Sequence, residues 1–268
     1  MLINSYRFGI PWTPAQITTA LWLDAADTET LFTTDGGSTL VTNGSAVGRW
    51  NDKSGNSRNL IQASSGSRPT FNATGRNNKG AIAFNGSTSF LELGQTNLST
   101  NWTCVIAASN NNASSSGEVY LAQGSTTNSN PRWHLDRSGT DARMLRRNDA
   151  GTIQLPTQGT FAAVAFIQAG TSDGSLIGVS LNGAALTTAT AVSGVFSTTR
   201  LTVGALYAGA STVPTSSYFS GSMFEIIYAP SMLSTLDRQK AEGYLAHKWN
   251  LAASLPSDHP YKSIAPTV

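Results

Sequence analysis

Apolar and polar residues alternate in short runs along most of this chain, the two-residue period of strands with one face buried. In "AIAFNGSTSFLEL", Ile82 and Phe84 alternate with small residues, Asn85-Gly86 supplies a tight turn, and Phe90, Leu91 and Leu93 return. The same device recurs at Asn182-Gly183, between Val179/Leu181 and Leu186. Further strands are predicted at 104–107, 119–122, 133–135 and 162–167, followed by "RLTVGAL" and "GSMFEIIYA". Short strands separated by turn signals point to an all-β, two-sheet antiparallel jelly-roll sandwich.

One segment breaks the period. Ser234, with Asp237 three positions on, reads as a capping box, and Leu236, Ala241, Tyr244, Leu245 and Trp249 then approximate one helical stripe. Leu251 and Pro256 mark its exit. Glu242 and His247 stand five positions apart and face about 140° away from each other, so the helix reads as packing and not chemistry. Pro11 and Pro14 make residues 1–17 an arm, residues 18–251 form the domain, and 252–268 form a tail. The polar runs "SNNNASSSG" and "GSTTNSNP" are rim loops, and no boundary splits the domain into two cores.

Charge adds little. Only 12% of residues are charged, with 17 Lys and Arg against 15 Asp and Glu, which argues against nucleic acid as a partner. Cys104, the single cysteine, excludes an intrachain disulfide and sits in an apolar strand. No apolar run reaches membrane-spanning length, and "MLINSYRFGIPW" lacks the pattern of a secretion signal. The expectation is a protein made in a cytoplasm and kept soluble by Ser, Thr, Asn and Gly.

Catalytic patterns are sparse. None of the five glutamates, Glu29, Glu92, Glu118, Glu225 and Glu242, begins the Glu-x-Asp-x-x-Glu strand of β-glucan hydrolases. Glu118 and Asp136 remain a pair able to meet across strands. "GTSDG" matches Gly-x-Ser-x-Gly, but a strand follows it where a nucleophile elbow needs a helix. His134, His247 and His259 form no zinc motif. No cofactor is implied. Asn51, Asp52, Ser54, Gly55 and Asn56 build a tight turn for which calcium is the sharper alternative, and a metal at Asp24, Asp27 or Asp52 stays open.

"ALWLDAADTETLF", "VGRWNDKSGNSRNL", "AIAFNGSTSFLEL", "VSLNGAAL", "LTVGAL" and "FSGSMFEIIYAPSMLSTLDRQKAEGYLAHKWNL" follow the order seen in concanavalin A-like, laminin G-like jelly-roll domains of bacteria and their phages. The chain resembles that family from about Thr18 to Leu251. The resemblance implies two stacked sheets with the late helix covering an end or edge, and makes Trp22, Trp50, Tyr244, Leu245 and Trp249 structural. Ser222 stands where an acidic residue is often found, which weakens a calcium site.

Family context ranks a non-enzymatic structural component of a phage particle first: a head decoration or tail-associated protein that docks on a capsid or tail lattice, assembling as an oligomer or on that lattice. The polar, weakly charged surface and the two terminal segments, each expected to be tied down by a neighbour or by the sandwich itself, motivate it. The alternative is a glycan-binding adhesion module on a virion or cell surface, with Arg132, Trp133, His134 and Asp136 as contacts. Strand alternation puts Trp133 and Leu135 toward the core, with Arg132 and His134 outward. A glycoside hydrolase is the distant third.

Overall fold

A computed structural model describes residues 9–95, 100–111, 117–125, 132–161, 165–192, 199–206, 214 and 216–268. Its strands, in chain order, are β1 Leu21–Asp24, β2 Leu31–Phe32, β3 Arg49–Trp50, β4 Leu60–Ile61, β5 Thr70–Arg76, β6 Lys79–Asn85, β7 Leu91–Gln95, β8 Trp102–Asn110 and β9 Glu118–Ser125. They continue with β10 Arg132–Ser138, β11 Asp141–Arg147, β12 Ile153–Gln154, β13 Thr157–Thr160, β14 Ala165–Ser172, β15 Leu176–Leu181, β16 Thr187–Thr190, β17 Thr199–Val203 and β18 Ser220–Ala229. A single α-helix among the described residues, α1, spans Thr235–Lys248.

Two antiparallel sheets face each other. The first runs β16-β15-β14-β8-β18-β6-β5, with β1 also paired to β18. The second runs β12-β11-β10-β9-β17-β7-β4-β3-β2, with β13 paired to β11. Between them Trp102 of β8 stacks on Trp133 of β10, ring centroids 4.2 Å apart, with Tyr228 of β18 beside them. Asn85-Gly86 and Asn182-Gly183 both fall at turns, Asn182 and Gly183 taking positive φ of 52° and 77°. The predicted strand at 162–167 begins at Ala165, and its first three residues, like 112–116 and 126–131 of the two rim loops, lie outside the described residues.

The helix lies over the outer face of the first sheet, where the resemblance implied an end or edge. Ala241, Leu245, Ala246 and Trp249 pack there against Val105, Ala107, Ala169, Phe224 and Ile227. β8 is therefore buried on both sides: Cys104, Ile106 and Ala108 meet the second sheet while Val105 and Ala107 meet the helix layer. Small side chains on β8 and β14 let α1 approach closely. Burying Leu245 and Trp249 stabilises by roughly 2–3 kcal/mol each.

The caps fit local chemistry. Ser234 Oγ accepts from the Asp237 N–H at 3.1 Å and donates to Asp237 Oδ2 at 2.8 Å. At the far end Asn250 turns to φ 53°, the Leu251 N–H reaches Ala246 O and the Asn250 N–H reaches His247 O, closing a Schellman motif. The predicted stripe is shifted, however. Leu236 is 54% exposed, whereas Arg238 and Glu242 are buried.

Arm and tail hold each other. The Trp12 N–H donates to Pro266 O and the Val268 N–H to Ile10 O, while the Trp12 ring packs edge-on to Tyr244. The described part of the arm is tied down by its own sandwich.

Candidate functional site

Of the four residues expected to contact sugar, the structure separates one from the other three. Trp133 points into the core, and its Nε1–H donates to Gln123 Oε1 at 2.8 Å, so no ring can stack on it from outside. That removes the aromatic platform from the predicted site. His134 and Asp136 lie on the opposite, outer face of β10 but are covered, at 4% and 1% exposure. Arg132 is partly exposed on the same face. The covering has a physical cause: Arg143, directly across β11, closes on the Asp136 carboxylate with Nε at 3.0 Å and a terminal nitrogen, and His134 Nε2 stands 3.4 Å from Oδ2. Burial pushes the Asp136 carboxyl up, but His134 and Arg143 outweigh it and hold it below the usual carboxylate range.

Register brings in residues that sequence spacing does not relate. Arg132 pairs with Arg147 on one side and Gly124 on the other, and Gly124 pairs with Arg200. Residues directly opposite share a face. One row across β11, β10, β9 and β17 thus reads Arg147, Arg132, Gly124, Arg200, with the buried Gly124 between Arg132 and Arg200. Burial, and then the facing charge of Arg147, lower the Arg132 guanidinium. Glu92 pairs with Arg200 at 3.2 Å. Arg143, Asp136 and Glu92 share this outer face with Arg132, Arg147 and Arg200.

A second polar cluster is sealed inside the first sheet's outer layer. Glu225 of β18, fully buried, accepts from Trp22 Nε1 at 2.8 Å, Trp249 Nε1 at 2.8 Å and the Tyr244 hydroxyl at 3.0 Å. Lys248 Nζ lies 2.7 Å from Glu225 and 2.8 Å from Asp24, whose other oxygen binds Lys53 at 3.0 Å. Burial and the neighbouring Asp24 raise the Glu225 carboxyl despite Lys248. Burial also acts to raise Asp24, but Lys248 and Lys53 hold it low. The "ALWLDAAD" and "EGYLAHKW" segments meet here, at a fastening of strand to helix. Its signal in the sequence was Glu225, the one charge in the apolar run "MFEIIYA".

The acidic residues considered for a metal are otherwise engaged. Ammonium groups occupy Asp24, and Asp27 pairs with Lys53 at 2.7 Å. The Asp52 carboxylate accepts from the Trp22, Ser54 and Arg58 N–H groups, which is turn chemistry in the loop from Asn51 to Asn56. Among the described residues no group of three or more His, Cys, Asp and Glu side chains is placed to hold a metal ion.

Known structures share this architecture. Domain 4 of AbnA, a GH43 extracellular arabinanase from Geobacillus stearothermophilus, solved in complex with arabinotriose, matches over 85% of this chain and 98% of its own at 12% identity and a TM-score of 0.59. The receptor binding domain of botulinum neurotoxin type G matches over 87% of this chain and 51% of its own, at 12% identity and a TM-score of 0.55. The Ruminococcus gnavus IT-sialidase CBM40 overlaps 55% of this chain and 95% of its own, at 15% identity and a TM-score of 0.44. No family model and no curated protein sequence matches the chain.

The fold is a two-sheet antiparallel β-sandwich. The expected capsid or tail partner gains no support from these neighbours. Within the sandwich Glu118 pairs in register with Arg137, one place from Asp136, so the two carboxylates fall on opposite faces and do not meet. Ser172 of "GTSDG" ends β14, and β15 follows the turn. His247 Nε2 lies 2.9 Å from Tyr261 O and serves the tail.

Proposed function

We propose that this protein is a non-catalytic glycan-binding module that takes acidic sugars on the outer face of its second sheet. The observation that carries the reading is the row Arg147, Arg132, Gly124, Arg200, set beside Arg143 and Asp136. Several guanidinium groups gathered on one sheet face give an anionic ligand complementary charge. Guanidinium forks grip a sugar carboxylate bidentately. A sandwich of this kind holds arabinotriose in AbnA domain 4, so the scaffold is compatible with such a role.

The test is a glycan array followed by titration calorimetry, with sialylated and uronic-acid-containing oligosaccharides against neutral ones. We expect saturable binding of acidic glycans that weakens with salt. Arg147→Ala should reduce affinity about tenfold or more, the loss of one charge-assisted contact, without lowering Tm. Binding of neutral glycans alone, or an unchanged Arg147→Ala variant, would refute the reading.

A further inference from the structure

A separate cavity of about 230 Å³ lies between the start of α1, the Asn182-Gly183 turn and the tail. It is lined by Thr235, Arg238 and Gln239 from the helix, Ala185 and Leu186 after the turn, and Asp258 and His259 from the tail. Its deep side is a buried charged triad. Arg238 binds Glu242 at 2.5 Å, and His259 Nε2 stands 3.6 Å from the other Glu242 oxygen. Ser180 Oγ, at 3.2 Å, also donates to Glu242. The Tyr261 N–H donates to His259 Nδ1, which leaves the ring's proton on Nε2, aimed at Glu242.

Arg238 Nε is buried without a hydrogen-bond partner, and Glu242 Oε2 and His259 Nε2 face each other at 3.6 Å, beyond hydrogen-bond range. Arg238, Glu242 and His259 are each at most 5% exposed. Packing alone does not call for them, because buried polar groups left unsatisfied destabilise a fold. Gly183 is needed to form the wall: a Cβ there would lie 2.8 Å from His259 Cδ2, and its φ is 77°.

We infer that this cavity is a binding site for one neutral sugar residue or a polyol of that size. The volume falls below the range of drug-sized pockets, which limits the occupant to about one ring. Thr235, Gln239, Arg238 and Asp258 place donors and acceptors together, as vicinal hydroxyls require, while Leu186, Ala185 and Pro256 offer apolar wall to C–H faces. Arg238 is balanced by Glu242, so Asp258 is the unmatched charge on the lining and anions are disfavoured. The site is independent of the arginine face and has the opposite charge preference.

The test follows amide resonances by NMR during titration with methyl glycosides of glucose, galactose, mannose and arabinose, with sodium glucuronate as the anionic control. We expect at least one neutral glycoside to shift Gly183, Gln239 and His259 with a Kd on the order of 1–10 mM, as suits so small a ligand, and glucuronate to shift them far less. Ala185→Trp, at an exposed position, should abolish the shifts without lowering Tm, whereas Arg147→Ala should leave them intact. The inference is overturned if no neutral glycoside perturbs these residues, if glucuronate does so equally, or if Ala185→Trp binds like the parent.

Discussion

Replacing Lys248 by Met removes the ammonium that lies 2.8 Å from Asp24 and 2.7 Å from Glu225 while keeping most of the aliphatic stem. Both carboxylates stay buried, at 4% and 0% exposure, and Lys53 reaches only Asp24 and Asp27. Breaking a buried pair from one side costs about 3–5 kcal/mol. At about 2–4 °C per kcal/mol for a chain of this size, Tm should fall by roughly 6–20 °C.

The pH dependence separates charge from packing. Glu225 already has a raised carboxyl, and without Lys248 it rises further, so the folded variant holds a proton that the unfolded chain releases. Stability of the variant is then lost as pH rises from the ordinary carboxylate range toward that raised value. The gap between parent and variant should be wider at pH 8 than at pH 5, read by calorimetry or by urea unfolding. A loss below about 1 kcal/mol, or one independent of pH, would refute the view that Lys248 neutralises a buried carboxylate pair.

Three further outcomes are expected. Trp249→Ala removes a ring stacked 5.1 Å from Phe224 and the donor to Glu225, and should cost about 3–5 kcal/mol in denaturant unfolding. Gly221→Ala places a Cβ 2.1 Å from the Ser109 carbonyl, so backbone must move, whereas Gly170→Ala meets the flexible end of Leu135 at 2.4 Å; the first should lower the urea midpoint more than the second. Asp136 has a folded-state carboxyl below its unfolded value, so its contribution is present above about pH 4 and fades as pH falls through the lower value; Asp136→Asn should flatten the decline of Tm between pH 5 and 2.

The sandwich was legible because alternation and the two Asn-Gly turns are local signals. The helix was legible too, through Ser234 and the spacing of Ala241, Leu245 and Trp249. What escaped was anything set by pairing across the chain. Arg147 and Arg200 join Arg132 through register alone, and no spacing in sequence relates 132 to 200. Arg238 and Glu242 lie off the apolar stripe predicted for α1, yet a buried ion pair and the tail's His259 hold them inside. Trp133 was legible both as core and as sugar platform, and its neighbour Trp102, thirty-one positions earlier, decides for core.

The clasp between Asp24 and Lys248 has a bearing on synthesis. Strand β1 emerges early, yet its partner β18 and the lysine that neutralises its carboxylate come some two hundred residues later. At roughly 5–20 residues per second, the nascent amino-terminal strand waits on the order of ten to forty seconds with an open edge. Ribosome-bound chains halted before residue 248 should therefore engage chaperones and resist closure, and the emergence of α1 from the ribosome is the event that lets the molecule lock.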